Sequence, residues 1–291
     1  MMNKFDIYKK QIRNNKFYHL LFGRKKLAMK YYKKIHGYSY DINNPVTFTE
    51  KVNSRKISNE KLLPICTDKI KVRDYVSKKI GKKYLIPKVL VCKKLTKDIY
   101  RKLPNQCVIK TANGSGSIKV IKNKLEENEN EVIQLFEQYQ KVDFAFIWGE
   151  MHYRKIPNTI IVEKLLIDKT GKIPDDYKIH CFNNNGDKKF FIQVEADRFG
   201  NHSRNIYDTN WNLLDIKTGL DNSEYIIKRP KNLKEMLKVA DKLSEDFKYV
   251  RVDLYTFNNR IYFGELTFTP AAGFSKFNKQ EYNKLWGNYW R

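Results

Sequence analysis

Val250-Arg251-Val252-Asp253-Leu254-Tyr255 and, beyond a turn at Asn258-Asn259, Gly264-Glu265-Leu266-Thr267-Phe268-Thr269-Pro270-Ala271-Ala272-Gly273 form the stretch on which the reading of this chain turns. Both halves alternate in the manner of half-buried strands, which predicts an antiparallel hairpin over 249–257 and 261–269. Alternation puts Arg251, Asp253 and Tyr255 on one face of the first strand and Glu265, Thr267 and Thr269 on one face of the second. Whether the two faces coincide depends on the turn. A two-residue loop at 258–259 opposes Asp253 to Gly264 and sends Glu265 to the other face, whereas a three-residue loop at 258–260 opposes Asp253 to Glu265. We expect the second. Two facing carboxylates repel unless a cation lies between them, and hard oxygen ligands of this kind suit Mg2+ held jointly with phosphate. The alternative is that Glu265 pairs with Arg251 or Lys110 in a buried salt bridge.

Upstream, residues 232–247 carry Leu233, Met236, Leu237, Ala240, Leu243 and Phe247 at helical spacing. Strands are expected at Thr159–Leu166, Tyr177–Phe182, Lys189–Glu195 and Asn205–Asp208, with a polar loop at 197–204. Nearer the N-terminus a short helix over 68–80 takes Thr67 or Asp68 as its cap and ends at Gly81. Strands at 84–92, 106–111 and 118–122 and a helix at 125–140 follow. Between two of these strands lies Asn113-Gly114-Ser115-Gly116-Ser117, preceded by Lys110. Glycines let successive backbone N–H groups converge on an anion. No Gly-Lys-Ser/Thr follows and the next segment alternates, so the loop is neither a Walker A loop nor a dinucleotide fingerprint but a flap between strands. An ordinary Gly-rich hairpin is the plainer alternative.

The chain has 291 residues, 41% hydrophobic and 14% aromatic, enough for a substantial core and against disorder. A mean hydropathy of −0.66 and the lack of a long apolar run exclude a spanning helix, and no secretory signal is expected at the N-terminus. Cys66, Cys92, Cys107 and Cys181 show no metal spacing and suit reduced thiols in the cytoplasm. The formal net charge is +25. Such an excess suits nucleic acid, an anionic membrane or acidic substrates, or reflects a Lys-rich composition with no partner at all. Residues 1–40 hold eleven Lys and Arg against one acid, Asp6, interleaved with Phe5, Phe17, Leu20, Leu21, Phe22 and Leu27. These predict basic amphipathic helices docked on the core or on anionic lipid.

Asp68-Lys69, Lys110 before Gly114-Ser115-Gly116-Ser117, Ile160-Ile161-Val162-Glu163-Lys164-Leu165-Leu166, Arg251-Val252-Asp253 and Gly264-Glu265 through Gly273 together resemble the ATP-grasp superfamily. Asp176-Tyr177-Lys178, Gln193 to Arg198 and Asn201 to Asn205 are similar to blocks of the TupA-like ATP-grasp family. The resemblance runs from about residue 40 to 285. It implies an α+β ATP-grasp fold, with nucleotide held between two α+β subdomains bearing antiparallel sheets, plus a basic helical N-terminal segment. The corresponding divisions are 1–60, 61–158 and 159–291.

The family also implies a reaction in which ATP and Mg2+ activate a carboxylate as an acyl-phosphate that an amine then attacks. Its company suggests a bacterial capsule, O-antigen or teichuronic-type polysaccharide or precursor as acceptor, with an amine or amino acid as co-substrate. By the same resemblance Lys69 and Lys110 contact phosphates under the flap Gly114, Ser115, Gly116 and Ser117. Glu163, Lys164, Leu165 and Leu166 form the adenine hinge, Lys178 contacts nucleotide or substrate, and Asp253 and Glu265 hold Mg2+. Thr267 stands where the superfamily often has Asn, which leaves the third metal ligand open. Arg198, Arg204 and Arg251 are expected to orient the acid and stabilise its acyl-phosphate, with solvated loop arginines as the alternative. His180, in an alternating strand, is expected to be a satisfied core histidine.

A non-catalytic polyanion binder (glycan or nucleic acid) on the same scaffold is the competing class, and the presence of Lys110, Asp253 and Glu265 favours catalysis. No recognised nucleic-acid motif is present, so no nucleic-acid partner is expected. The expected location is cytoplasmic, with the basic N-terminal segment in peripheral contact with the inner leaflet.

Overall fold

Two separate runs of alternating sequence become two antiparallel sheets in the structure, a computed structural model that describes residues 4–196 and 202–291. The helices are α1 (Lys4–His36), α2 (Phe48–Arg55), α3 (Leu62–Thr67), α4 (Val72–Ile80), α5 (Lys97–Arg101), α6 (Glu129–Gln140), α7 (Ala145–Trp148), α8 (Leu233–Ser244) and α9 (Gln280–Tyr289). The strands are β1 (Lys88–Cys92), β2 (Cys107–Thr111), β3 (Ile118–Ile121), β4 (Ile160–Lys164), β5 (Asp176–Asn184), β6 (Asp187–Ala196), β7 (Ser203–Tyr207), β8 (Tyr249–Phe257) and β9 (Arg260–Thr267).

The chain divides into two compact units, Met1–Ala28, Lys56–Tyr75 and Ile86–Leu166 in the first and Met29–Arg55, Val76–Leu85 and Ile167–Arg291 in the second. They do not follow the linear divisions at 60 and 158. Helices α1 and α4 each give residues to both units, so the units interleave along the chain.

The first unit is built on the sheet β1-β4-β2-β3. Ile109, Ile121, Ile160 and Val162 are buried with Phe136 and Val132 of α6, the apolar stripe that the helical spacing predicts. Asn128 caps that helix, accepting from the backbone N–H groups of Asn130 and Glu131. The first part of α1 joins the same core through Phe5, whose ring meets Tyr139 edge-on at 5.2 Å.

The second unit is built on the sheet β7-β6-β5-β8-β9. Helix α8 lies against β5 and β8 and buries Leu233, Met236, Ala240 and Leu243. The Cys181 thiol of β5 reaches the Ala240 carbonyl there. The residues one step along each strand, Phe182 and Tyr249, point to the other face and join Phe48 of α2 and Trp286 of α9 in an aromatic cluster. The four cysteines are free thiols, and among the described residues no helix is long and apolar enough to cross a membrane.

The closing hairpin reaches the expected pairing by a different route. Its loop has two residues, Asn258 and Asn259, both left-handed at φ 50° and 58°, with Phe257 opposite Arg260. Regular pairing from that loop would oppose Asp253 to Gly264. Instead the register shifts after Leu254–Phe263, Gly264 is left unpaired in a bulge, and Asp253 opposes Glu265. The bulge requires glycine: a Cβ on residue 264 would come within 2.9 Å of the Asp253 carbonyl oxygen and 3.0 Å of the Tyr255 ring.

Candidate active site

In the second unit, register collects polar side chains into one row across the sheet. Lys178 of β5 opposes Asp253 of β8, which opposes Glu265 of β9, while Arg251 opposes both His180 and Thr267. Arg251 forks onto Asp253, with Nε donating to Oδ1 and Nη2 to Oδ2, each at 2.7 Å. Its Nη2 also donates to Thr267 Oγ1 at 3.0 Å and lies 3.4 Å from Glu265 Oε1. Lys178 Nζ donates to Asp253 Oδ2 at 2.8 Å and to Asp176. Burial pushes the Asp253 carboxyl up, but Arg251 and Lys178 outweigh it and hold the group below its ordinary value. Burial likewise opposes the charge on Lys178, and Asp253 and Asp176 outweigh it and raise its pKa.

Asp253 and Glu265 offer hard oxygen donors in register, a set that fits Mg2+ when phosphate and water supply the remaining ligands. No cluster of three or more His, Cys, Asp or Glu side chains placed to hold a metal ion occurs among the described residues. The Thr267 hydroxyl donates to Glu265 Oε1 at 2.9 Å and braces it. A Glu265–Arg251 contact of 3.4 Å is present, but the Glu265 side chain is 49% exposed, so it is not the buried salt bridge of the alternative reading; Arg251 lies where the two carboxylates converge.

The row continues across β6 and β7. Glu195 receives Arg204 Nε at 2.9 Å, His202 at 2.7 Å and the Gln193 amide. Because the Gln193 amide nitrogen donates to Glu195, its Oε1 is left to accept from His180 Nε2 at 3.0 Å, and His180 Nδ1 then accepts from the Tyr249 hydroxyl at 2.9 Å. Burial, reinforced by Arg251, pushes the His180 pKa down to about 3, so the ring is neutral at pH 7 as its bonding requires. A pocket beside this row is lined by Arg204 and Arg251, with Gln193, His180 and the rings of Phe48 and Trp286. The structure thus brings two of the three expected substrate arginines to one cavity. Arg198 lies outside the described residues.

In the first unit, Val108 opposes Glu163 and Lys110 opposes Ile161, which makes Lys110 and Glu163 diagonal neighbours on one face. Lys110 Nζ reaches Glu163 Oε2 at 2.9 Å, and Arg73 of α4 reaches Oε1 at 2.7 Å while also donating to the Ile86 carbonyl. The Glu163 carboxylate is therefore occupied by two cations. The flap closes as a hairpin between β2 and β3, with Thr111 and Ser117 joined by their hydroxyls and by a backbone bond of 3.1 Å. Lys69 Nζ donates to the Gly114 carbonyl at 2.5 Å, tying the flap to the segment ahead of α4. Asp68 accepts from the backbone of Ile70 and Lys71 and fixes that segment. A Cβ on residue 114 would fall 1.9 Å from Ser117 Oγ, so only glycine fits.

Sequence reading missed Arg73, the role of Glu195, and the buried Lys56 beside Glu150, whose ammonium burial pushes down while Glu150 acts against it. Arg73 had a signal: it follows Lys69 by four residues on a segment already read as helical. Lys56 had none, because nothing local marks a lysine as buried.

The Gly-rich flap that follows Lys110 and the hairpin that opposes Asp253 to Glu265 are stretches whose sequence resembles the ATP-grasp superfamily. Within that class the chain belongs to the TupA-like ATP-grasp family, whose model matches residues 49–291. No curated protein matches the chain. Among solved structures it is similar to D-alanine–D-alanine ligase from Helicobacter pylori at 17% identity and a TM-score of 0.42, over 72% of this chain and 56% of that one. The ligase of the same name from Bacillus anthracis shows 18% identity and a TM-score of 0.40, over 75% and 59%. Phosphoribosylamine–glycine ligase from Thermotoga maritima shows 12% and 0.43, over 74% and 52%. The chain spans little more than half the length of each.

Proposed function

We propose that the protein is an ATP- and Mg2+-dependent ligase that activates a carboxylate as an acyl-phosphate and joins it to an amine. The observation that carries this reading is the row Lys178–Asp253–Glu265 with Arg251, running beside a pocket that also holds Arg204. In this role a carboxylate oxygen attacks the γ-phosphorus of ATP and ADP leaves. The neutral amine then attacks the acyl carbon, the C–O bond to phosphate breaks, the departing phosphate takes up the proton that the nitrogen loses, and an amide remains. Such a transfer needs alignment and charge neutralisation more than a base, which agrees with a site rich in cations whose histidine is neutral.

Lys69, Lys110 and the flap 114–117 are assigned to the phosphates, and residues 163–166 to the adenine, Glu163 and Lys164 through their backbone. Asp253 and Glu265 are assigned to Mg2+, which supplies charge neutralisation on the phosphates, with Thr267 orienting Glu265. Arg251 and Arg204 are assigned to the acid and the developing acyl-phosphate, and Arg198 to the same substrate. Lys178, between Asp176 and Asp253, keeps the metal-side carboxylate ionised and in place. For the substrate we propose an acidic sugar of a bacterial surface polysaccharide or its precursor, with an amine or amino acid as partner, in the cytoplasm. Purified protein with ATP, Mg2+ and a panel of uronic-acid glycans and amino acids should release ADP well above an Asp253→Ala control. Equal release by both would overturn the reading.

A further inference from the structure

The part of α1 that belongs to the first unit has one docked side. Phe5 sits on Tyr139, Asn15 donates to the Phe146 and Ile147 carbonyls, and His19 meets the Phe146 ring edge-on at 5.3 Å. Elsewhere around the same helix Phe17, Leu20, Leu21 and Phe22 are 65%, 80%, 57% and 54% exposed. Single exposed apolar residues are ordinary, but four within six positions make a patch. Directly after it Gly23 leaves helical geometry at φ 76° and ψ 174°, so the patch caps the end of a helical segment. A Cβ on residue 23 would meet nothing within 4 Å, so glycine is there for its backbone and not for packing.

Exposed bases flank this apolar tip on both sides, Lys9, Lys10, Arg13 and Lys16 before it and Arg24, Lys25 and Lys26 after it. The one acid among residues 4–28 is Asp6. A second copy of the chain would bring the same positive charge against itself. A bilayer surface rich in anionic headgroups meets both properties, taking the apolar side chains at the acyl boundary and the bases at the phosphates. We propose that Phe17, Leu20, Leu21 and Phe22, with these bases, dock the protein peripherally on an anionic lipid surface, a role that stands independently of the ligase reading.

The test is co-sedimentation of the full chain with phosphatidylcholine vesicles with and without phosphatidylglycerol. The wild type should bind the anionic vesicles at least about tenfold more tightly and lose that preference as salt rises, because the bases act through a screened field. A Leu20→Ser/Leu21→Ser/Phe22→Ser variant, altered only at exposed positions, should keep its melting temperature and lose about tenfold in vesicle affinity. An Arg13→Glu/Lys26→Glu variant should lose the anionic preference. Equal binding to both vesicles, or unchanged binding by the serine variant, would overturn the proposal. So would a wild type that sediments as a dimer, is made monomeric by the serine variant and ignores vesicles, since the patch would then be a self-association surface.

Discussion

Neutralising Asp253 removes the anion on which two buried cations converge. Its side chain is 3% exposed, and the Arg251 and Lys178 side chains that reach it are 12% and 9% exposed. In Asp253→Asn both cations remain buried, Lys178 with Asp176 and Arg251 with Thr267 and, at 3.4 Å, a half-exposed Glu265. Removing one partner of a buried pair costs about 3–5 kcal/mol, and Lys178→Met, which takes the ammonium from Asp176 and leaves Asp253 to Arg251, should fall toward the lower end of that range. For a protein of this size that corresponds to roughly 6–20 °C in melting temperature.

The double variant Lys178→Met/Asp253→Asn removes both charges of one contact, so it should cost less than the sum of the singles by about 2 kcal/mol. Urea unfolding followed by tryptophan fluorescence measures this, since Trp286 is buried in the core of the second unit. Additivity within about 0.5 kcal/mol would refute the reasoning, because Arg251 alone would then be neutralising Asp253. The pH dependence has a definite sign. Asp253 titrates below its ordinary 3.8 in the native state, so its contribution is present above 3.8 and disappears as pH falls through the lower native value. The gap between wild type and Asp253→Asn should therefore stand at pH 7 and close in strong acid.

Lys110→Ala should weaken ATP binding several-fold in a fluorescent-nucleotide titration while Glu163 keeps Arg73; unchanged binding would remove Lys110 from the phosphate assignment. Gly114→Ala forces a Cβ into the Thr111–Ser117 contact, and the distorted flap should raise the nucleotide Kd by about tenfold with a smaller effect on melting. His180, held neutral down to about pH 3, leaves the unfolded chain to take up a proton near its ordinary 6.5. Stability should fall as pH drops below 6.5, by about 1.4 kcal/mol per unit, and His180→Gln should flatten that slope in urea midpoints taken from pH 7.5 to 5.

Much of the site was legible because its parts are periodic. Alternation places Arg251, Asp253, Glu265 and Thr267 on strand faces, and glycine spacing marks the flap. The pairing of Asp253 with Glu265 was foreseen, but through a three-residue loop that the structure replaces with two left-handed asparagines and a bulge at Gly264. Both routes add one residue to the hairpin, and alternation alone does not say where the extra residue goes. The division of the chain was less legible, because a helix that lends residues to two units carries no local mark of doing so.

The sequence by itself determined the class of fold, the strand faces and the residues that carry charge, since these follow from local periodicity and composition. Only the tertiary structure decided which charges meet. That Lys178 lies between Asp176 and Asp253, that Arg73 and Lys110 share Glu163, and that Arg204 and Arg251 line one pocket depend on register between strands distant in sequence. Burial then fixed what those charges are worth, because a carboxylate and an ammonium attract far more strongly once water is excluded but are costly to desolvate, so each depends on its partner.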